Sequence, residues 1–145
     1  MKTIIDAETD YLEELEEKDI IIKDFRKLKA YQLSLKFIKQ CLEVINSLPP
    51  CEEYILKQQL LRASEGVAAQ ICEGNSQLYK KREVSFMSIA IGSLCESQCH
   101  LDIALINGYI TKEMHAEIEA TAIEIKKLLV TYIRNLLSSG DAVKS

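Results

Sequence analysis

Tryptophan is absent, histidine and proline occur twice each, and glycine only five times in 145 residues. So few helix breakers argue against an all-β fold, which needs turn residues every 8–12 positions, and against collagen-like or low-complexity chains. No HExxH pair and no phosphate-binding glycine loop is present, and neither histidine has motif context, so the common metalloprotease and nucleotide-hydrolysing chemistries have no residues to run on. No apolar run approaches 18 residues and no signal peptide is recognisable; the chain is expected to stay out of membranes and to reside in the cytoplasm. The five cysteines, Cys41, Cys51, Cys72, Cys95 and Cys99, are an odd number and three fall in apolar helical stretches, so free thiols are expected rather than a disulfide framework.

What is present suits one helical domain. A chain of this length buries about two-thirds of its unfolded surface and needs no metal or disulfide to hold a core. The net charge of −4 is unevenly spread: residues 1–24 hold nine acidic side chains against Lys2, Lys18 and Lys23, a net of −6, so residues 25–145 carry +2. The acidity belongs to the N-terminal segment, and local patches elsewhere decide what binds. Three regions are expected: an acidic extension over 1–23, a bundle over 24–138, and a flexible tail over 139–145.

From Asp24 to Ser47 there is no Gly or Pro, and Leu28, Tyr31, Leu35, Ile38, Leu42 and Ile45 recur at heptad intervals. Leu48-Pro49-Pro50 ends this first helix, because proline excludes helical geometry at the residue before it. The second helix is predicted from near Glu52 to Glu73 with an apolar stripe of Leu56, Leu60, Ala63, Val67 and Ile71, and ends at Gly74-Asn75-Ser76. Ala63, Ser64, Gly66, Ala68 and Ala69 make it thin, which lets a neighbour approach closely. The third spans about Lys80 to Ile106, with Val84, Met87, Ile91, Leu94, Leu101 and Leu105 in register and Gln98 its one polar member. Asn107-Gly108 closes it. Thr111 is the predicted N-cap of the fourth helix, whose seam is Met114, Ile118, Thr121, Ile125, Leu128 and Tyr132. Four long helices on short links must run antiparallel to their sequence neighbours, giving an all-α, up-and-down four-helix bundle. The run Ile20-Ile21-Ile22 reads as a docking linker rather than a strand.

The first helix carries a second apolar row, Leu33, Phe37, Cys41, Val44 and Leu48, about 130° around from the first at 100° per residue. One row fills the core; the second is expected to be covered by a neighbouring subunit or by the N-terminal segment.

Four groups of residues are candidates for a site. Cys95, Cys99 and His100, with His115 on the next helix, are the nearest approach to a metal pattern, but zinc takes four ligands or three and a water, so thiols in a core or interface are favoured and no cofactor is expected. Glu65, Glu73 and Glu96 lack the Glu-x-x-His partners of di-iron bundles. Gln59, Arg62, Gly66, Ala69 and Glu73 form a polar ridge on the second helix; with Glu96 as the partner of Arg62, Gln59, Arg62, Glu73 and Glu96 are expected to form a structural network, a ligand site being the alternative. Finally, Arg26, Lys27 and Lys29 and, beside Tyr79, Lys80, Lys81 and Arg82 lie at the starts of two helices. Cations there oppose the helix dipole, and in an up-and-down bundle both clusters share one end. They read as a solvated face or as a phosphate-binding rim. No catalytic constellation emerges, and the chain is not expected to be an enzyme.

Phe25-Arg26-Lys27-Leu28 with Ala30-Tyr31, Arg62 with Val67-Ala68-Ala69-Gln70-Ile71-Cys72-Glu73-Gly74, Ala90-Ile91-Gly92-Ser93-Leu94-Cys95-Glu96 and Asn107-Gly108-Tyr109-Ile110 occur in that order. Over residues 24–137 they resemble the bacterial four-helix-bundle proteins encoded in intervening sequences of large-subunit ribosomal RNA genes, and the related accessory variability determinants of diversity-generating retroelements. The resemblance implies a homopentameric barrel without enzymatic activity, which in the retroelement branch binds RNA and a reverse transcriptase through basic surfaces. Gly66, Gln70 and Cys72 depart from the family's usual Ser, Asn and Ala, and residues 1–23 lie outside its pattern. Three functions follow as expectations: an oligomeric scaffold binding RNA or DNA through its rim, an accessory of a reverse transcriptase, or a protein-binding module regulated by the acidic segment.

Overall fold

The computed structural model describes residues 20–142, with side chains through Ser139. It contains four α-helices and, among the described residues, no strand: α1 (Lys29–Ser47), α2 (Leu56–Asn75), α3 (Lys80–Ile106) and α4 (Lys112–Ala142), with 3-10 turns at Phe25–Lys27 and Pro50–Glu52. The helices pack as a ring, α1 against α2 and α4, α3 against α2 and α4, and the α2–α3 contact is the most extensive. This is the ring of an antiparallel up-and-down bundle.

Local chemistry sets the boundaries. α1 begins at Lys29 rather than Asp24, because the Asp24 carboxylate accepts from Arg26 N–H at 3.1 Å and caps a 3-10 turn. Leu28 is then extended (ψ 126°) before the helix starts. At the other end Leu48 is extended (ψ 144°), as its position before Pro49 requires. α2 starts four residues later than its acidic start signal suggests: Pro50 leads a 3-10 turn, and Glu52 Oε2 reaches forward to accept from Leu56 N–H at 3.3 Å. Gly108, at φ +73°, closes α3 with Gly108 N–H on Leu105 O and Tyr109 N–H on Ala104 O. Thr111 caps α4 as expected, its Oγ1 accepting from Met114 N–H at 3.1 Å. α4 runs on to Ala142, past the expected boundary at 138.

The core lies along the axis and every helix contributes to it. The predicted stripe of α2 is wholly buried, and Ile118, Thr121 and Ile125 of α4 are buried as spaced. In α1 the second row forms the core and the first is split, with Ile45 buried and Leu28 and Tyr31 packed half-buried against that core. Phe37, Cys41 and Val44, expected as an oligomer interface, are fully buried in the chain's own core, with Leu33 and Leu48 packed half-buried against it. Leu35 and Leu42 of the other row are 48% and 39% exposed. The thin middle of α2 is the reason: it accommodates the bulkier row, and the buried Ser64 hydroxyl is turned back onto Leu61 O of its own helix at 3.1 Å. Ile20, Ile21 and Ile22 do not dock as a linker; they have no regular secondary structure and are exposed, Ile22 completely. The acidic extension, apart from residues 20–23, lies outside the described residues.

α2 and α3 approach closely at two glycines. A Cβ on Gly66 would stand 3.2 Å from Ser93 Oγ, and one on Gly74 would stand 2.9 Å from Phe86 Cβ. The core face of α3 is accordingly Glu83, Met87, Ala90, Leu94, Ser97, Leu101 and Ala104, small residues alternating with large ones. Ile91 and Leu105, expected in the seam, are displaced to its flank and half-buried.

Candidate functional site

The ends of α2 and α4 and the starts of α1 and α3 converge at one end of the bundle. A buried polar cluster marks the convergence. Glu83, 1% exposed, sits in the core register of α3. Its Oε2 lies 2.9 Å from Lys23 Nζ, and its Oε1 accepts from Tyr132 O–H at 2.6 Å. Tyr132 in turn accepts from Asn75 Nδ2 at 2.9 Å. Four chain segments are thereby joined through one carboxylate. Burial first, and the Glu83 carboxylate second, push the Tyr132 phenol well above its ordinary range, while the bond from Asn75 works the other way. Sequence reasoning missed this cluster; its signal was a carboxylate at 83 in heptad register with Met87, Leu94 and Leu101.

The six basic residues of the proposed rim lie around this same end. Arg26 stacks over the Phe25 ring at 4.6 Å and is 3.8 Å from Asp24 Oδ1. Lys29 is 3.6 Å from Glu124 on α4, and Lys80 Nζ donates to Ser139 Oγ at 2.9 Å. Lys27, Lys81 and Arg82 are exposed.

The network expected from Gln59, Arg62, Glu73 and Glu96 does not form. All four side chains are exposed, because α2 buries Leu56, Leu60, Val67 and Ile71 and turns the polar ridge outward. Glu96 stands 3.5 Å from His100 Nε2 rather than against Arg62. Register between α3 and α4 is held by Gln98, which donates to Glu119 Oε1 at 2.8 Å and accepts from Lys126 Nζ at 3.0 Å. One turn on, His115 Nε2 lies 2.8 Å from Asp102 Oδ1. That contact takes His115 away from the exposed Cys95 and Cys99, and no cluster of three metal-ligating side chains exists among the described residues. Burial pushes the Cys41 thiol up to about 12, opposed by the neighbouring Ser64 hydroxyl, so this sulfur is held as the unreactive thiol.

The outer side of α3 carries apolar and small residues around the exposed Glu96. Ile89 is 52% exposed and Ile103 39%, with Ser85, Gly92 and Cys99 also exposed on that side. By length and composition α3 is apolar enough to cross a membrane, which the sequence reading had not anticipated, yet only 28% of its most apolar 18-residue stretch is buried. A bundle helix with a core face and a second apolar face meets the same criterion.

Fold and site together define an all-α bundle protein built around buried polar and aliphatic layers. The profile of the 23S rRNA-intervening sequence proteins matches residues 26–131, and the chain belongs to that family. A solved structure of a protein of unknown function from the S23 ribosomal protein family of Bacteroides thetaiotaomicron superposes with a TM-score of 0.67 at 25% identity, covering 72% of this chain and 97% of that one. No curated protein matches the sequence.

Proposed function

We propose that the protein is a non-catalytic, self-associating scaffold that binds RNA through the basic end of its bundle. The observation that carries the reading is the gathering of Arg26, Lys27, Lys29, Lys80, Lys81 and Arg82 around one end, where the positive poles of α1 and α3 add to their charge instead of offsetting it. An anion at that end meets side-chain cations and helix N-termini together. Self-association is supported by α3, which is apolar on two sides and buries one. The family resemblance implies five subunits, and such a ring would repeat the basic end around its axis.

The test is a salt titration of binding to a labelled structured RNA, followed by fluorescence anisotropy. Affinity should fall steeply between 50 and 200 mM salt, and Lys80→Ala/Lys81→Ala/Arg82→Ala should weaken binding about tenfold or more and flatten the salt slope by roughly one unit per lost phosphate contact. The melting temperature should stay unchanged, since these side chains are exposed. Absence of binding at 50 mM salt overturns the reading.

A further inference from the structure

The side-chain charges described for the bundle are sorted by end. Where α1 and α3 finish and α2 and α4 begin, Glu43, Glu52, Glu53, Asp102, Glu113 and Glu117 stand against Lys57 and Lys112, a net of −4. At the opposite end the six cations of the rim, with Lys23 and Arg134, stand against Asp24, Glu73 and Glu83, a net of +5. Part of this charge is settled inside the chain: Glu53 holds Lys57 at 2.9 Å, and Asp102 holds His115 at 2.8 Å. Glu43, Glu113 and Glu117 at one end, and Lys27, Arg82 and Arg134 at the other, are exposed and have no ion-pair partner among the described residues. The 27 residues of α3 keep the two ends about 40 Å apart, several Debye lengths at physiological salt. The two unpaired sets therefore cannot meet within one chain.

Apolar exposure is sorted in the same way. The seven most exposed large apolar side chains all lie at the ends: Tyr54, Ile55 and Ile106 among the carboxylates, Ile20 to Ile22 and Leu137 among the cations. Each end thus offers apolar side chains within charge of one sign, and the signs are opposite, which is the pattern of complementary docking surfaces. Residues 1–19, which are acidic and join the basic end, are the rival for its cations, but a polyanion has no charge to offer the acidic end. A second copy of the chain answers both ends at once.

We infer that copies of this chain stack end to end, the acidic end of one on the basic end of the next. The contact joins two different surfaces, so it repeats along the bundle axis instead of closing as a symmetric pair. It shares Lys27 and Arg82 with the proposed RNA surface, and RNA bound there competes with it, but stacking itself needs no RNA.

Sedimentation equilibrium of the full chain without RNA tests it. A contact of a few side chains is weak, so the average mass should rise about twofold or more only between about 5 and about 500 µM protein at about 20 mM salt, and the rise should vanish at about 500 mM salt, where the Debye length is under about 5 Å. Lys27→Glu/Arg82→Glu and Glu113→Lys/Glu117→Lys alter exposed side chains, and each should abolish the rise with far-UV circular dichroism unchanged. In an equal mixture the first variant keeps its acidic end and the second its basic end, so the mixture should pair and stop at twice the low-concentration mass. A parent that never rises leaves the basic end to its own acidic segment or to a foreign anion and overturns the inference. A rise that survives high salt, a rise in either variant alone, or a mixture that does not pair overturns it equally.

Discussion

A carboxylate at 1% exposure, as in Glu83, survives in a core only where its charge is met, and here a single cation meets it. Lys23 is itself about a third exposed, so the pair lies between the surface and buried regimes. Lys23→Met should cost about 1–2 kcal/mol in urea denaturation, because Glu83 keeps its bond from Tyr132 but loses its counter-charge. Adding Glu83→Gln removes the stranded charge and leaves an acceptor for Tyr132; the double variant should be no less stable than Lys23→Met alone. A further full loss in the double variant would show that the two residues act independently. Cys41 makes a second residue-scale prediction. An unfolded thiol gives up its proton near 9 and the folded one only at about 12, so above pH 9 the folded state holds the extra proton and stability falls. The loss is about 1.4 kcal/mol per pH unit within that window and absent below it. Tyr132, also raised, adds to the loss above its ordinary range. Urea midpoints measured from pH 8 to 10.5 should fall less steeply in Cys41→Ala than in the parent, even though the variant starts lower.

Helix termini and stripes were largely legible because they depend on nearest neighbours. Leu48 before Pro49, the Thr111 cap, the Gly108 closure and the stripe of α2 all follow from local rules. What was not legible depended on how closely two helices approach. In α3 the positions 83, 90, 97 and 104 carry Glu, Ala, Ser and Ala, whereas 84, 91, 98 and 105 carry Val, Ile, Gln and Leu. Hydrophobicity selects the second set, but Gly66 and Gly74 let α2 come near, so the small residues at 90, 97 and 104 are the ones buried, and Glu83 is buried in line with them because Lys23 and Tyr132 bind its carboxylate. The same spacing settled α1 in favour of the Phe37 row, and it left Gln59, Arg62 and Glu73 on the outside of α2. Alanine substitutions should sort the glycines accordingly. Gly74→Ala gains about 1 kcal/mol of helix propensity but meets Phe86 Cβ at 2.9 Å, an overpacking cost of about 1–3 kcal/mol, so it should destabilise. Gly66→Ala meets only the movable Ser93 hydroxyl and should be near neutral. Gly92→Ala, with nothing within 4 Å, should raise the melting temperature of the isolated bundle.

At the scale of the molecule, two apolar surfaces compete as the site of the proposed self-association: the outer side of α3 around Ile89, Gly92 and Ile103, and the exposed Leu35 and Leu42 of α1. The α3 side is the better candidate. Between Val84 and Leu101 its one formally charged side chain is Glu96, and Gly92 lets another backbone come close, whereas Leu35 and Leu42 are interspersed with Gln32, Lys36, Lys39 and Glu43. Light scattering at micromolar concentration should therefore give a mass several times the 16.4 kDa of one chain, five times if the family's implied ring forms. Gly92→Arg, which has open space in the single chain, should reduce that mass to one chain while far-UV circular dichroism stays that of a helical bundle. Leu35→Glu/Leu42→Glu should leave the assembly intact. A parent protein that is already monomeric rejects the assembly, and a reversed response of the two variants moves the interface to α1. Exposed hydrophobic area alone could not separate these surfaces, and their charge density makes the choice.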